Sequence, residues 1–241
     1  MNKIYLIISA TVLSLALIVS SYIFGKFLYE SRQPLRTLRA VGIASTQYEA
    51  DTIKWSITLE ERSDINGVKK LYSKLNAGYK KLEKALKSNG LNEKITVTPM
   101  NMYPNYNRDG VISGYVASQK FYIISKDIDK VESLALFPDK LTETGILIKN
   151  SNLGYYYSKI DDMKKEILAK ATINARERGD EIISNTDYKV GDIINARTGV
   201  FQITEPYSTA IASYGLYNTS SRKQEIKVTV HVTFELDKMK K

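Results

Sequence analysis

Cysteine is absent from the 241-residue chain and histidine occurs once, as His231. The first absence excludes disulfides, a thiolate nucleophile, Cys-ligated zinc or iron–sulfur centres and a lipidated N-terminal cysteine. The second excludes a multi-histidine metal site. Neither fixes the redox compartment, because reducing and oxidising environments both accept a cysteine-free protein. Catalytic signatures are missing too: there is no glycine-rich phosphate loop, G-x-S-x-G elbow, H-E-x-x-H helix or EF-hand loop. The acid pairs Glu60-Glu61 and Asp161-Asp162 direct neighbouring side chains to different faces, so they read as surface solubility rather than a shared site. His231 shares a strand face with Lys227, Thr229 and Thr233, which turns it to water without a helper for general-base work. No catalytic residue, cofactor site or metal site is expected.

What is present begins with an uncharged run between Lys3 and Lys26, Ile4 to Gly25. Its 22 residues at about 1.5 Å each reach roughly 33 Å, enough for a hydrocarbon core of about 30 Å. Ile4, Leu6, Leu13, Leu17 and Ile23 are its expected lipid contacts. The residues after Ser21 are bulky (Tyr-Ile-Phe-Gly-Lys-Phe-Leu-Tyr), which argues for an uncleaved signal-anchor over a removed signal peptide. A buried core helix fits less well, since no face of the run is polar. We expect an anchor over 1–29, a linker over 30–37, one folded domain over 38–236 and a basic tail over 237–241. Lys26, Arg32, Arg36 and Arg39 outnumber Lys3 and, counted literally, would hold the domain in the cytoplasm. The arginines from 36 onward belong to the folded domain, however, and large domains translocate with limited regard to charge.

The hydrophobic fraction of 43% and charged fraction of 25% are those of a folded protein rather than a disordered one. Strands are expected over Leu38–Thr46 and around Ile53, Trp55, Ile57 and Leu59, whose polar neighbours alternate with period two. The period then lengthens: Ile65, Val68, Tyr72, Leu75, Tyr79, Leu82 and Leu86 predict an amphipathic helix capped by Asp64 and stopped at Asn89-Gly90. A hairpin of Lys94–Tyr103 and Tyr115–Ser125 follows, joined by the turn-rich Pro104–Gly114. Asp127 caps a shorter helix with Ile128, Val131, Leu134 and Ala135 inward, and Pro138 ends it. After a strand over Ile146–Tyr157, a second long helix over Lys159–Ser184 turns Met163, Ile167, Ala171, Ala175, Gly179 and Ile182 to one side. Its small residues allow close packing. Two last strands, Val190–Thr204 and Glu225–Leu236, flank a long Tyr-, Ser-, Thr- and Gly-rich segment, Glu205–Lys223, that reads as a candidate contact loop.

Two surface features remain. Lys69, Lys70, Lys74, Lys80, Lys81, Lys84 and Lys87 stripe the first long helix; a solvated face accounts for them better than nucleic acid does, because no base-reading or stacking motif accompanies them. The chain also has 17 tyrosines. Strand propensity explains many, but tyrosine is also favoured at interfaces. Tyr155, Tyr156 and Tyr157, with Tyr207, Tyr214 and Tyr217, are the candidate contact surface.

Read in order, these segments resemble the SIMPL-domain family, a domain of unknown function that includes envelope proteins linked to oxidative stress. The resemblance runs from Leu38 to Leu236. It opens with Arg39-Ala40-Val41-Gly42-Ile43-Ala44 and Asp51-Thr52-Ile53-Lys54-Trp55-Ser56-Ile57, then the helix stop Leu86-Lys87-Ser88-Asn89-Gly90-Leu91. Ile95 to Tyr106, with Pro104-Asn105-Tyr106, precedes Gly114-Tyr115-Val116-Ala117. The Ala-Arg-bearing helix of Ala171 to Arg178, the turn Val190-Gly191-Asp192 and the strand Val228 to Leu236 complete it. The pattern departs at Thr142-Glu143-Thr144-Gly145-Ile146 and in having fewer helix alanines.

The resemblance implies an α+β domain of antiparallel sheet packed by two long helices, outside the cytoplasm, without established enzymatic activity. It also implies self-assembly, since some members are reported as ring-like oligomers. The expectation is therefore a single-pass, non-catalytic protein with its domain on the periplasmic side. Its partners would be the lipid bilayer, further copies of itself and an unknown envelope protein, with a role in envelope or oxidative stress tolerance. The alternatives are a ligand- or glycan-binding module, a hydrolase, or a cytoplasmic basic protein contacting nucleic acid.

Overall fold

Helix α1, Lys3–Ser31, takes up the whole N-terminal apolar run and a further turn beyond it. None of its most apolar stretch is buried, and Ile4, Leu6, Leu13, Leu17 and Ile23 are all exposed. Several of its hydroxyls bond back to the helix itself: Ser9 donates to Leu6 O at 3.1 Å and Ser14 to Thr11 O at 2.9 Å. Both the apolar surface and the satisfied hydroxyls suit a helix surrounded by hydrocarbon. This computed structural model describes residues 3–31, 36–142, 145 and 147–239. Glu30 and Ser31 are helical and Thr37 is already strand, so the expected 30–37 linker is shorter at both ends, and its residues 32–35 lie outside the described ones.

The remaining chain is α+β, with antiparallel pairing throughout its larger ladders. Its contacts gather into two compact units: Met1–Val41 with Ala175–Arg197 and His231–Lys241, and Gly42–Asn174 with Thr198–Val230.

In the second unit, β2 (Thr52–Asp64) is the central strand. It pairs antiparallel with β5 (Ile112–Ser125) on one side and β6 (Ile148–Tyr156) on the other. Its alternation buries Ile53, Trp55, Ile57 and Leu59, as the period-two pattern predicts. Leu71, Leu75, Leu82, Ala85 and Leu86 of α2 (Val68–Ser88) join the same core, with Ile128, Val131 and Leu134 of α3 (Ile128–Ala135). Asp127 caps α3 as expected, accepting from Lys130 N at 3.1 Å.

Several boundaries move for identifiable reasons. Asp64 ends β2 instead of capping α2, whose N-cap is Gly67; Ile65 and Tyr72 are exposed, and Leu71 takes the inward place. The stop is where it was expected: Gly90 adopts φ 78° and Leu91 N returns to Leu86 O at 2.9 Å. The expected Lys94–Tyr103 strand is broken at Thr98-Pro99-Met100 into β3 (Thr96–Val97) and β4 (Asn101–Tyr106), because Pro99 has no N–H to give the ladder. The hairpin turn contracts to Asn107–Val111, where Asn107 Oδ1 accepts Asp109 N at 3.0 Å and Val111 N at 2.9 Å. A short helix, α4 (Asp139–Thr142), follows α3. The Thr142–Ile146 departure falls largely outside the described residues, and β6 starts at Ile148 rather than Ile146.

The other sheet has the order β1 (Thr37–Glu49), β10 (Lys223–Lys238), β8 (Gln202–Thr204), β9 (Leu216–Tyr217), with β7 (Tyr188–Thr198) also on β10. The single Val190–Thr204 strand of the sequence reading is thus two, β7 and β8, interrupted at Gly199–Phe201. Asp237 and Lys238 belong to β10, so the tail begins later than 237.

Within the first unit, the C-terminal half of α5 (Ile160–Ile183) packs by its smallest residue. A Cβ on Gly179 would sit 3.3 Å from Val190, 3.4 Å from Leu38 and 3.8 Å from Phe234. Arg176 lies over the Phe234 ring at 5.3 Å and donates to Gly191 O at 2.8 Å. Ile183 is buried in place of the expected Ile182, which is exposed, and Met163 in the other unit is only half-buried.

Candidate contact surface

The segment after β8 leaves the sheet and returns to it within the second unit, and its root is held by buried polar groups. Period-two alternation in β10 places Gln224 on the same face as Ile226, Val228 and Val230, so an amide enters the core at 1% exposure. It is satisfied there: Nε2 donates to Tyr155 O at 3.2 Å and Ser221 O at 3.1 Å, and Oε1 accepts from Tyr48 Oη at 2.7 Å. Main-chain bonds from Tyr155 N to Thr219 O (2.8 Å) and from Ala50 N to Arg222 O (2.9 Å) fasten the same stretch.

Arg222 closes the root by charge. It donates to Asp129, lies 3.5 Å from Glu132 Oε2, and its Nε is 2.8 Å from Glu49 Oε1 with the N–H aimed aside. Tyr155 Oη donates to Glu132 Oε1 at 2.7 Å, and burial together with that bond pushes its hydroxyl up to about 12. Burial likewise raises the Tyr48 hydroxyl, with Tyr217 adding to it.

Above this root the loop folds over β8 and β10. Gln202 Nε2 donates to Ala212 O at 2.8 Å and Asn218 N to Ile203 O at 2.9 Å. β9 runs parallel to β8, pairing Leu216 with Gln202 and Tyr217 with Ile203, so the expected contact loop contains a strand. A mainly apolar cleft of about 280 Å³ lies beneath the loop, between Val200, Thr204, Ile211, Ala212 and Val228.

The six tyrosines separate into three environments. Tyr207 and Tyr214 stand at 88% and 86% exposure, with Ile211 between them at 83%. Tyr207 is also the one described non-glycine residue with positive φ, 65°, a conformation that costs a bulky side chain energy and that no burial of its ring repays. Tyr156, Tyr157 and Tyr217 form a second group with Tyr48: the Tyr48 and Tyr157 rings are 5.1 Å apart, Tyr217 adds to the burial that raises the Tyr48 hydroxyl, and burial raises the Tyr217 hydroxyl with a smaller contribution from Tyr156. Tyr155 is the correction. At 7% exposure it belongs to the core and offers no contact surface, because β6 turns alternate residues inward.

Sequence reasoning missed Arg222, Gln224, Glu132 and Tyr48. Only Gln224 carried a legible signal, as a polar residue at an inward position of an alternating strand. The acid pair Glu60-Glu61 does point to two faces, but Glu60 is not a solubility residue: it is 9% exposed and accepts from Lys149, Arg62 and Tyr103. His231 is exposed, as its strand position predicts.

Residues 38–234 match the SIMPL family, described as a protein of unknown function (DUF541). The chain belongs to the SIMPL family. A search of curated proteins finds no match. The SIMPL domain thus runs from β1 into β10 and includes the whole loop with its tyrosines.

Proposed function

We propose that the protein is an uncleaved, membrane-anchored SIMPL-domain protein whose domain lies outside the cytoplasm and acts by associating with further copies of itself rather than by catalysis. The observation that carries this reading is the exposed trio Tyr207, Ile211 and Tyr214 on a loop whose root is rigidly held. Broad aromatic and aliphatic area on a pre-ordered segment loses little entropy on docking, which is what an interface requires. The family resemblance, with its ring-like members, supports the same reading and an envelope stress role. α1 supports the anchor, because its exposed apolar surface needs a lipid cover.

The test is the mass of the detergent-extracted full chain by light scattering. Replacing Tyr207, Ile211 and Tyr214 with Ser should reduce the assembly to smaller species while the unfolding midpoint stays within the error of measurement. An unchanged mass would remove the loop from the interface. The apolar cleft under the loop favours a second reading, a binding module for a small apolar ligand; a ligand-dependent rise in Tm without any self-association would select it.

A further inference from the structure

Two arginines without acidic partners among the described residues stand on the strands that flank β10 in the first unit. β1 carries Arg39, β7 carries Asn195 and Arg197, and β10, which pairs with both, carries His231 and Thr233. These side chains occupy the face opposite Val232 and Phe234, which are 1% and 0% exposed in the core. Together they line one cleft of about 380 Å³. Among the described residues no carboxylate contributes to its lining.

The arginines here differ from most others in the chain. Arg62 and Arg222 hold carboxylates, Arg176 and Arg178 hold main-chain carbonyls, and Arg36 holds Tyr188. Among the described residues Arg39 and Arg197 have no such acceptor, nor does His231. Like charges gathered on a concave surface repel one another and focus a positive potential into it, an arrangement that an anion relieves. The donors suit an oxyanion, and a set this large matches the several acceptor oxygens of a phosphate better than the two of a carboxylate. Planar guanidinium forks match phosphate oxygens two at a time, and the Asn195 amide, the Thr233 hydroxyl and a His231 ring N–H add single donors around them.

We propose that this cleft is a binding site for a phosphate-type oxyanion, clamped by Arg39 and Arg197 with His231, Asn195 and Thr233 completing the donor set. Its size falls in the range of roughly 300–1,000 Å³ usual for ligand clefts. A bare phosphate leaves space beside it, so the ligand is a phosphate carrying an organic group. A soluble phosphate ester and a phospholipid headgroup share this chemistry.

Because His231 is the only imidazole in the chain, its ring resonances report on the site without assignment ambiguity. The full chain, held in maltoside detergent micelles that carry no phosphate, is titrated with inorganic phosphate and with glycerol 3-phosphate against chloride of equal ionic strength. In a second arm phosphatidylglycerol is introduced into the micelle without soluble phosphate. The proposal predicts a saturable His231 shift with phosphate that chloride does not reproduce. Arg39→Gln and Arg197→Gln should each weaken binding about tenfold, with Lys at either position intermediate. Both arginines are exposed, so the backbone amide spectrum should be retained. A shift on adding glycerol 3-phosphate assigns the site to a soluble ester, and a shift with phosphatidylglycerol alone assigns it to a headgroup. No saturable shift in any arm, an equal response to chloride, or binding unaltered in both arginine variants would overturn the site.

Discussion

Glu60 occupies the face of β2 opposite Leu59, yet three donors converge on its carboxylate: Lys149, Tyr103 and Arg62. The bond from Lys149 holds the carboxyl below its ordinary value, and partial burial opposes it less strongly. A carboxyl with a lowered folded-state pKa stabilises the fold fully above its unfolded value, 4.5, and loses that contribution as pH falls through the lower folded one. Glu60→Gln should therefore destabilise the domain by about 1–2 kcal/mol at neutral pH in urea unfolding, a range kept low because the Lys149 side chain is 46% exposed. The gap to wild type should close below pH 4.5. Equal midpoints at neutral pH, or a gap that persists well into acid, would contradict this. Apart from Arg62, two residues along β2, the partners of Glu60 come from β4 and β6, more than 40 residues away, and no local pattern marks them.

Among the elements, the β2–β5 ladder sets the frame on which the loop root rests. Gly114 pairs with Asp64 where these strands begin to separate, and a Cβ there would lie 2.0 Å from Ser63 O. The obstacle is main chain, so it cannot rotate away. Gly114→Ala should lower stability by about 1–3 kcal/mol, read as a fall in Tm with retained far-UV signal. A loss under 0.5 kcal/mol, against that scale of about 1–3, would show that the strands yield. Gly114 stood in the sequence as the first residue of a family motif, and its close approach to β2 is the physical reason for it. The strands with strict alternation, β2 and β10, were legible because one face of each is buried along its length. What the pattern missed were interruptions: Pro99 and Gly199–Phe201 break ladders without disturbing the alternation around them, and α2 begins three residues after Ile65 because Asp64 remains in the β2 ladder. The loop was legible by length and composition. Its internal strand β9 and the burial of Tyr155 depend on pairings that no local period encodes.

For the whole molecule, a helix whose most apolar stretch is unburied and a SIMPL domain share one chain without cysteine. That absence makes any introduced thiol unique. Ser184, exposed just after α5, is changed to Cys, and intact cells are treated with a membrane-impermeant maleimide before and after the envelope is opened. An uncleaved anchor with an extracytoplasmic domain predicts that a membrane-bound band of 27.3 kDa is labelled in cells whose cytoplasmic membrane is intact. Labelling only after that membrane is breached, or a labelled product shortened by the length of α1, would contradict the account.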